Sequence, residues 1–332
     1  MPADGKLHVA FLNVGNGDCT LIQCPNGMLI LIDAGSRKWR TVGDDDPGDP
    51  NLIIGGVVID KHYYAARLRE FLRGQVLDML VLTHNDADHY NMVAETLQGV
   101  PVRNVVHSND IGEYKNEQFN RWLSQGLLIG TTVHELTVNA ASPNPIRIVD
   151  GTAAGGLPCY LVVIASNVVA TRHTSDVGWV KNTKSIVIHV EFGENTFLIM
   201  GDATEDTEDF LRTQYPPATS TVLNVDMLRV GHHGSITSTS DLFVQAVKPK
   251  AAAISISRLN SYGLPRTTVV NRLLGAGSLL PDTEHTIASY AGSGAGGVLP
   301  TVSQSTVWLW QTGWSGTRTF HFDGTLANSP WD

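Results

Sequence analysis

The stretch Thr83-His84-Asn85-Asp86-Ala87-Asp88-His89 decides how this chain is read. It follows Val76–Leu82, a short apolar run bounded by polar residues that reads as a buried strand ending at Thr83. A loop at the end of a buried strand presents its side chains to a cleft. Here it presents two imidazoles and two carboxylates: His84, Asp86, Asp88 and His89. Imidazole nitrogen combined with carboxylate oxygen suits zinc, manganese or iron. Alternate residues of an extended loop converge on one side, so His84 and Asp86 fit one ion, while the adjacent pair Asp88-His89 turns to a second. The competing reading makes Asp88 the cap of the helix that follows. Capping needs one such residue and explains neither histidine.

Two distant segments repeat the design. Phe197-Leu-Ile-Met200-Gly201-Asp202 is an apolar strand ending in a glycine and then a carboxylate, which places Asp202 at a sheet edge with backbone room around it. Asp202 is there a natural bridging ligand, or else the cap of a helix starting near Thr204. Met227-Leu-Arg-Val230 opens into Gly231-His232-His233-Gly234-Ser235. Neighbours on an extended chain point opposite ways, so one of His232 and His233 is expected to bind metal, and the sequence does not say which. The other is free to donate to a phosphate or to take part in proton transfer.

The rest of the chain supplies the scaffold. Strand-like runs at Leu7–Leu12, Thr20–Cys24 and Met28–Ile32 are separated by the turns Gly15-Asn-Gly17-Asp18 and Pro25-Asn-Gly27, a β-meander. Further strands are expected at Val102–His107, Thr132–Val138, Tyr160–Ile164 and Ser185–Val190, and helices at His62–Leu72, Met92–Leu97, Glu113–Gln125, Thr204–Gln214, Ser240–Val247 and Thr267–Leu274. Residues Ser36–Asn51 have loop composition. The pattern gives a layered α/β (α+β) architecture with two packed sheets. After Tyr290 comes the Gly/Ser-rich Ala291–Gly297, and Val307–Gln311 with Thr317–Phe322 read as a terminal hairpin. The division expected is a main domain over 1–290 with 291–332 packed on it.

Composition narrows the functional classes. The 332 residues carry 23 Lys+Arg against 32 Asp+Glu, a formal charge of -9, which excludes a generally basic nucleic-acid coat but not a local positive groove. Hydrophobic residues at 42% and charged residues at 17% exclude wholesale disorder. No apolar run is long enough to span a bilayer, and Met1–Lys6 lacks a secretory pattern, so a cytoplasmic protein without a membrane partner is expected. Cys19, Cys24 and Cys159 have no Cys-x-x-Cys spacing and read as small core residues.

The ordered set His84-x-Asp86-x-Asp88-His89, Gly201-Asp202-Ala203 and Val230-Gly-His-His-Gly-Ser235 resembles the metallo-β-lactamase fold superfamily, and within it the soluble hydrolase domain of ComEC-type DNA-uptake proteins. Val14-Gly-Asn-Gly-Asp18, Leu31-Ile-Asp33-Ala-Gly35 and Ser261-Tyr-Gly-Leu-Pro265 resemble that group's pattern too, over residues 7 to 290 or so. The resemblance implies a four-layer αββα sandwich with a dinuclear site at one sheet edge. Asp86 stands where the wider superfamily has histidine, and the ComEC-like branch resembles this chain in using aspartate there. A third histidine expected before Ser185–Val190 is replaced by Lys181-Asn182-Thr-Lys184, which makes Asn182 a weak ligand of the first ion, with His173 a looser candidate. Tyr262-Gly-Leu-Pro265 lacks the histidine of the family's Tyr-Gly-His-Pro, which bears on phosphate binding or leaving-group protonation.

Two divalent ions, zinc or manganese, about 3.5–4 Å apart would share a hydroxide. Metal one takes His84, Asp86 and Asp202, with Asn182 added. Metal two takes Asp88, His89, Asp202 and one of His232 or His233. Asp88, Asp202, His232 and His233 are the expected catalytic groups. An anionic, hard site suits phosphodiesters, so the leading expectation is a phosphodiesterase or nuclease acting on nucleic acid or a nucleotide. The alternatives are a lactam, lactone or thioester hydrolase, and a non-catalytic metal-binding interaction module. Lys181, Lys184, Arg229, Arg258 and Arg266 are open as phosphate partners. Trp308 and Trp310 are read as packing residues sooner than as a base-stacking platform.

Overall fold

The computed structural model describes residues 3–36, 53–54, 57–58, 61–257, 260, 262–292 and 299–325. Among these, two seven-stranded sheets carry the fold. The first runs Arg318–Phe322, Leu7–Phe11, Thr20–Gln23, Leu29–Ile32, Leu77–Leu82, Val102–His107 and Thr132–Glu135 in spatial order. The second runs Leu309–Gln311, Ala251–Ile254, Met227–Arg229, Asn195–Ile199, Val187–Phe192, Cys159–Ala165 and Ile146–Asp150.

Side-chain alternation explains the layers. Along Leu7–Phe11, Leu7, Val9 and Phe11 enter a core between the sheets, where Phe197, Met227 and Trp310 meet them from the second sheet. Leu77–Leu82 is parallel to both its neighbours and is apolar on both faces. Met79 and Val81 join the inter-sheet core, whereas Leu77, Leu80 and Leu82 pack outward with Leu68 and Leu72 of helix Lys61–Leu72 and with Phe119 and Leu123 of helix Glu117–Leu128. The second sheet's outer face packs likewise against helices Glu205–Gln214, Asp241–Val247 and Thr267–Gly275 through Leu211, Phe243, Val244, Val270 and Leu273. The result is the αββα sandwich. No described helix is long and apolar enough to cross a membrane.

Two expectations are corrected. The helix over Glu113–Gln125 starts later, at Glu117, because Asn116 caps it by accepting from the Phe119 N–H; a short 3-10 turn fills Ile111–Glu113. The terminal hairpin is not made. Leu309–Gln311 pairs with Ala251–Ile254 in the second sheet, and Arg318–Phe322 pairs with Leu7–Phe11 in the first. Their inward aromatics meet across the sandwich, with the Trp310 and Phe320 rings stacked at 4.9 Å, so Trp308 and Trp310 are core residues. An unexpected hairpin joins Pro281–Ser289 to Thr301–Val307. The loop composition of Ser36–Asn51 falls, from residue 37 on, outside the described residues, as do 293–297 of the Gly/Ser-rich run.

Candidate metal centre

Three strand ends, after Leu77–Leu82, Asn195–Ile199 and Met227–Arg229, open toward one another. Thr83 is fixed first. Its backbone N–H donates to Asp33 Oδ1 at 2.8 Å and its hydroxyl to Asp33 Oδ2 at 2.6 Å. The chain then turns through Asp86 into the short helix Ala87–Tyr90. Asp86 holds the N-cap position of that helix but makes no side-chain cap bond, and the helix after Asp202 has Thr204, not Asp202, at its N-cap. The capping readings of Asp88 and Asp202 therefore have no support, and the carboxylates are left for the cleft.

The backbone under the motif is packed against the amino-terminal loops. A Cβ on Gly35 would lie 2.3 Å from the Asp88 carbonyl carbon, and one on Gly17 would lie 2.8 Å from the Asp88 oxygen. Asp18 N–H donates to Asp88 O at 3.1 Å and Ala34 N–H to His89 O at 2.8 Å. This is the physical work of the Gly-Asn-Gly-Asp and Asp-Ala-Gly segments: they let main chain approach main chain. Asp18 also forms a buried ion pair with Arg229 at the end of Met227–Arg229, which ties the two sheets together beneath the centre.

The side chains gather around Asp202. Its Oδ1 lies 3.3 Å from His89 Nε2, and its Oδ2 lies 4.0 Å from His84 Nε2, 3.8 Å from His232 Nε2 and 3.5 Å from His233 Nε2. Asp86 Oδ2 is 4.0 Å from His84 Nε2, and Asp88 Oδ2 is 3.7 Å from His233 Nε2. Ligand atoms of His84, His89 and Asp202 lie within 4.8 Å of one another, as do those of Asp88, His89 and His233. Asn182 Nδ2 comes within 3.2 Å of His232 Nε2, and Lys181 Nζ donates to Asp86 Oδ1 at 3.2 Å. His173 is not part of the group; it is exposed and lies edge-on against Trp179.

The outer nitrogens of the rings are already committed. His89 Nδ1 meets Asp33 Oδ2 at 2.7 Å, His233 Nδ1 meets the Ser255 carbonyl at 2.6 Å, and His232 Nδ1 meets the Thr237 hydroxyl at 2.6 Å. Each contact turns a lone pair on Nε2 toward Asp202. The buried Nε2 atoms of His84, His89 and His233, together with Asp202 Oδ1 and Asn182 Oδ1, have no hydrogen-bond partner. Buried polar atoms are normally satisfied, so a converging set of orphans fits a cation. Asp33 is a residue whose supporting role sequence reasoning missed. It follows a fully buried apolar strand, Leu29–Ile32, but its partners Thr83 and His89 are far away in sequence.

Electrostatics agree with that fit. Burial raises the Asp202 carboxyl, but His233, His89 and His232 outweigh it and hold the group well below the usual carboxylate range. Asp88, buried beside His233 and His89, is held at about 2. Burial pushes His84 down to about 4, with His89 adding to the effect. His89 and His233 are also penalised by burial, yet Asp202, with Asp33 for the one and Asp88 for the other, raises both. Cations in the site would replace those protons.

Both histidines of the Gly-His-His-Gly turn face the centre, contrary to the extended-chain expectation. His232 (φ 45°) and His233 (φ 52°) are left-handed, so the alternation rule does not apply. The two divide the centre between them: His233 reaches Asp88, and His232 reaches Asn182.

A family profile described as "Metallo-beta-lactamase superfamily" matches residues 12–258. The chain is 29% identical over 268 residues to Recombination protein 2 of Haemophilus influenzae, covering 79% of this chain and 26% of that protein. It is 25% identical over 273 residues to ComE operon protein 3 of Bacillus subtilis, covering 80% and 30% respectively. With Competence protein ComA of Neisseria gonorrhoeae it shares 37% over 117 residues, 35% of this chain and 16% of that one. The chain thus spans between about a quarter and a third of the length of the first two relatives. Among solved structures, Zn(2+)-bound PqqB from Methylobacterium extorquens aligns at 11% identity over 81% of this chain and 96% of that chain, with a TM-score of 0.43. A diphosphatase of the PhnP family aligns at 14% over 75% and 87%, with a TM-score of 0.36.

Proposed function

The chain belongs to the metallo-β-lactamase superfamily, and from that premise we propose that it is a dinuclear metal-dependent phosphodiesterase whose substrate is a nucleic acid or a nucleotide. The observation that carries the reading is the convergence of unpartnered buried Nε2 atoms from His84, His89 and His233 on Asp202. His84, Asp86 and Asp202, with Asn182 Oδ1, would hold the first ion. Asp88, His89, His233 and Asp202 would hold the second. Zinc or manganese suits this mixture of nitrogen and carboxylate oxygen. Divalent ions held there would supply a water of lowered pKa and would offset charge on the reacting oxygens.

The chain's own groups do the rest. Asp202, between the two sets, keeps them in register. Asp88 is ionised across the neutral range and stands at the cleft side of His233 as a proton acceptor. His232, more exposed than His233, holds a neutral ring toward the cleft, where Nε2 would accept a proton and, once charged, donate to substrate oxygen. Likeness to proteins named for recombination and competence supports a nucleic-acid substrate.

The test is turnover of bis(p-nitrophenyl) phosphate and single-stranded DNA by purified protein with manganese or zinc, lost in Asp88→Ala. Absence of metal-dependent turnover on both substrates overturns the reading. One observation favours a second reading, a binding module with a single ion: the first-ion side has an asparagine and a lysine-paired aspartate where a third imidazole would stand. Elemental analysis separates the two, at two ions per chain for the enzyme and one for the module.

A further inference from the structure

Resting on the phosphodiester reading, we propose that Lys181 is the anion-binding residue of this centre, the group through which it takes negatively charged substrates in preference to neutral ones. The sequence leaves five cations open as phosphate partners, and the structure separates them. Arg258 lies outside the described residues. Arg229 is fully buried and committed to Asp18 and the Val230 carbonyl. Among the described residues, Lys184 and Arg266 form no ion pair with a candidate ligand, whose other pairs are between histidines and aspartates. Among the described residues, Lys181 is the one lysine or arginine paired with a candidate ligand, Asp86.

Its placement is rigid. Helix Val177–Thr183 is capped by Asp176, whose side chain accepts from the Gly178 and Trp179 N–H groups. Trp179 Nε1 donates to Asp206 at 2.8 Å, and the Thr183 and Thr204 hydroxyls meet at 2.7 Å, which locks this helix to the segment that follows Asp202. Lys181 therefore reaches Asp86 from a fixed base. It takes Oδ1 and leaves Oδ2 on the side of His84. The lysine is 34% exposed and Asp86 22%, so the contact sits where the centre opens. An ammonium has three N–H donors, and one bond to Asp86 leaves others for a ligand in the cleft.

Charge gives the contact its purpose. Asp86, Asp88 and Asp202, with Asp33 behind His89, contribute four negative charges, which two divalent ions cancel. Asp18 and Arg229 cancel each other. Among the described residues, the Lys181 ammonium is the cation left to face the anions of the cleft, hydroxide and substrate alike. A neutral lactam or ester gains nothing from it, whereas a phosphodiester anion is matched by it.

The test uses inorganic phosphate as the probe, titrated calorimetrically into the zinc-loaded full chain, alongside zinc content by elemental analysis. K181Q should weaken phosphate binding about tenfold or more, the loss of one bond to a charged group, with zinc content unchanged. K181R, which keeps the charge, should fall between K181Q and the wild type. In turnover, K181Q should raise KM for bis(p-nitrophenyl) phosphate by a larger factor than KM for p-nitrophenyl acetate. Equal phosphate affinity in wild type and K181Q overturns the inference, as does a wild type that binds no phosphate. Loss of zinc in K181Q also overturns it, by making Lys181 a positioning residue for Asp86. Lysine-dependent phosphate binding in a protein that hydrolyses no phosphodiester upholds the anion site and overturns the phosphodiesterase reading alone.

Discussion

The two sides of the centre are built to different standards. On the side of Asp88, His89 and His233, each imidazole is held from behind by a strong acceptor, Asp33 at 2.7 Å and the Ser255 carbonyl at 2.6 Å. On the side of His84, Asp86 and Asn182, the supports are hydroxyls: Thr83 lies 3.2 Å from His84 Nδ1 and Thr237 lies 2.6 Å from His232 Nδ1. Asp86 shares its carboxylate with Lys181. A carboxylate or carbonyl behind a ring fixes its tautomer and raises its basicity, whereas a hydroxyl that has already given its proton to Asp33 or Ser235 accepts from Nδ1 as a weaker, neutral partner and raises basicity less. The first side is preorganised for a cation and the second is adjustable. The difference teaches that such a site need not be symmetric to hold two ions: one can be anchored, and the other can sit where a substrate anion is admitted.

The largest effect should come from the residue both sides share. Asp202→Ala removes the carboxylate that four imidazoles approach, and it should abolish binding of both ions and reduce phosphodiester turnover by about a thousandfold or more. Elemental analysis and steady-state rates check this. Retention of a full ion on either side would show that the two sets do not depend on a common carboxylate. Next comes Asp33→Asn, which keeps the shape but weakens the acceptor behind His89 and Thr83. Weakening the group that holds a metal-binding imidazole from behind costs about 10–100-fold in metal affinity or activity. The loss should fall on the anchored side, read as the tighter of two zinc affinities by calorimetry.

These residues also measure how much was legible in the sequence. His84, Asp86, Asp88 and His89 could be read because four ligand types crowd one strand end, and Asp202 because an apolar strand ends on it. Asp33 could not, since its partner His89 lies 56 positions away and nothing local records the contact. That His232 and His233 both face the centre was not legible because two consecutive non-glycine residues at positive φ are costly and carry no compositional mark beyond the flanking glycines. The last two strands show the same limit. Alternating aromatics state that a face is buried, but not whether the partner lies beside the strand or across the sandwich. Trp310 and Phe320 lie across it.

Protonation offers a third way to divide the two sides. In the metal-free chain His89 and His233 are raised, so an ion entering the anchored side must displace protons there, and its affinity should climb as pH rises through the neutral range. His84, held at about 4, has no proton to lose at pH 6 or above, so its side should show little pH dependence. Zinc titrations in buffers of different ionisation enthalpy, at pH 6 and pH 8, count the protons released with each ion. Equal release on both sides would remove the electrostatic distinction.

The smallest effect tests the adjustable side directly. Thr237→Val removes the hydroxyl that meets His232 Nδ1 while nearly preserving volume, and Thr237 also bonds Ser235 Oγ at 3.0 Å, so the turn loses one of its ties. A single neutral hydrogen bond contributes about 0.5–1.5 kcal/mol net, equivalent to roughly a threefold to tenfold change. Phosphodiester turnover should fall by that much and neither zinc affinity should move, because His232 is placed as a proton relay and His233 keeps its own bond to the Ser255 carbonyl. If Thr237→Val cost as much as Asp33→Asn, or acted on the tighter ion, hydroxyl and carboxylate supports would be equivalent here. The asymmetry of the centre would then lie in the ligands themselves and not in what stands behind them.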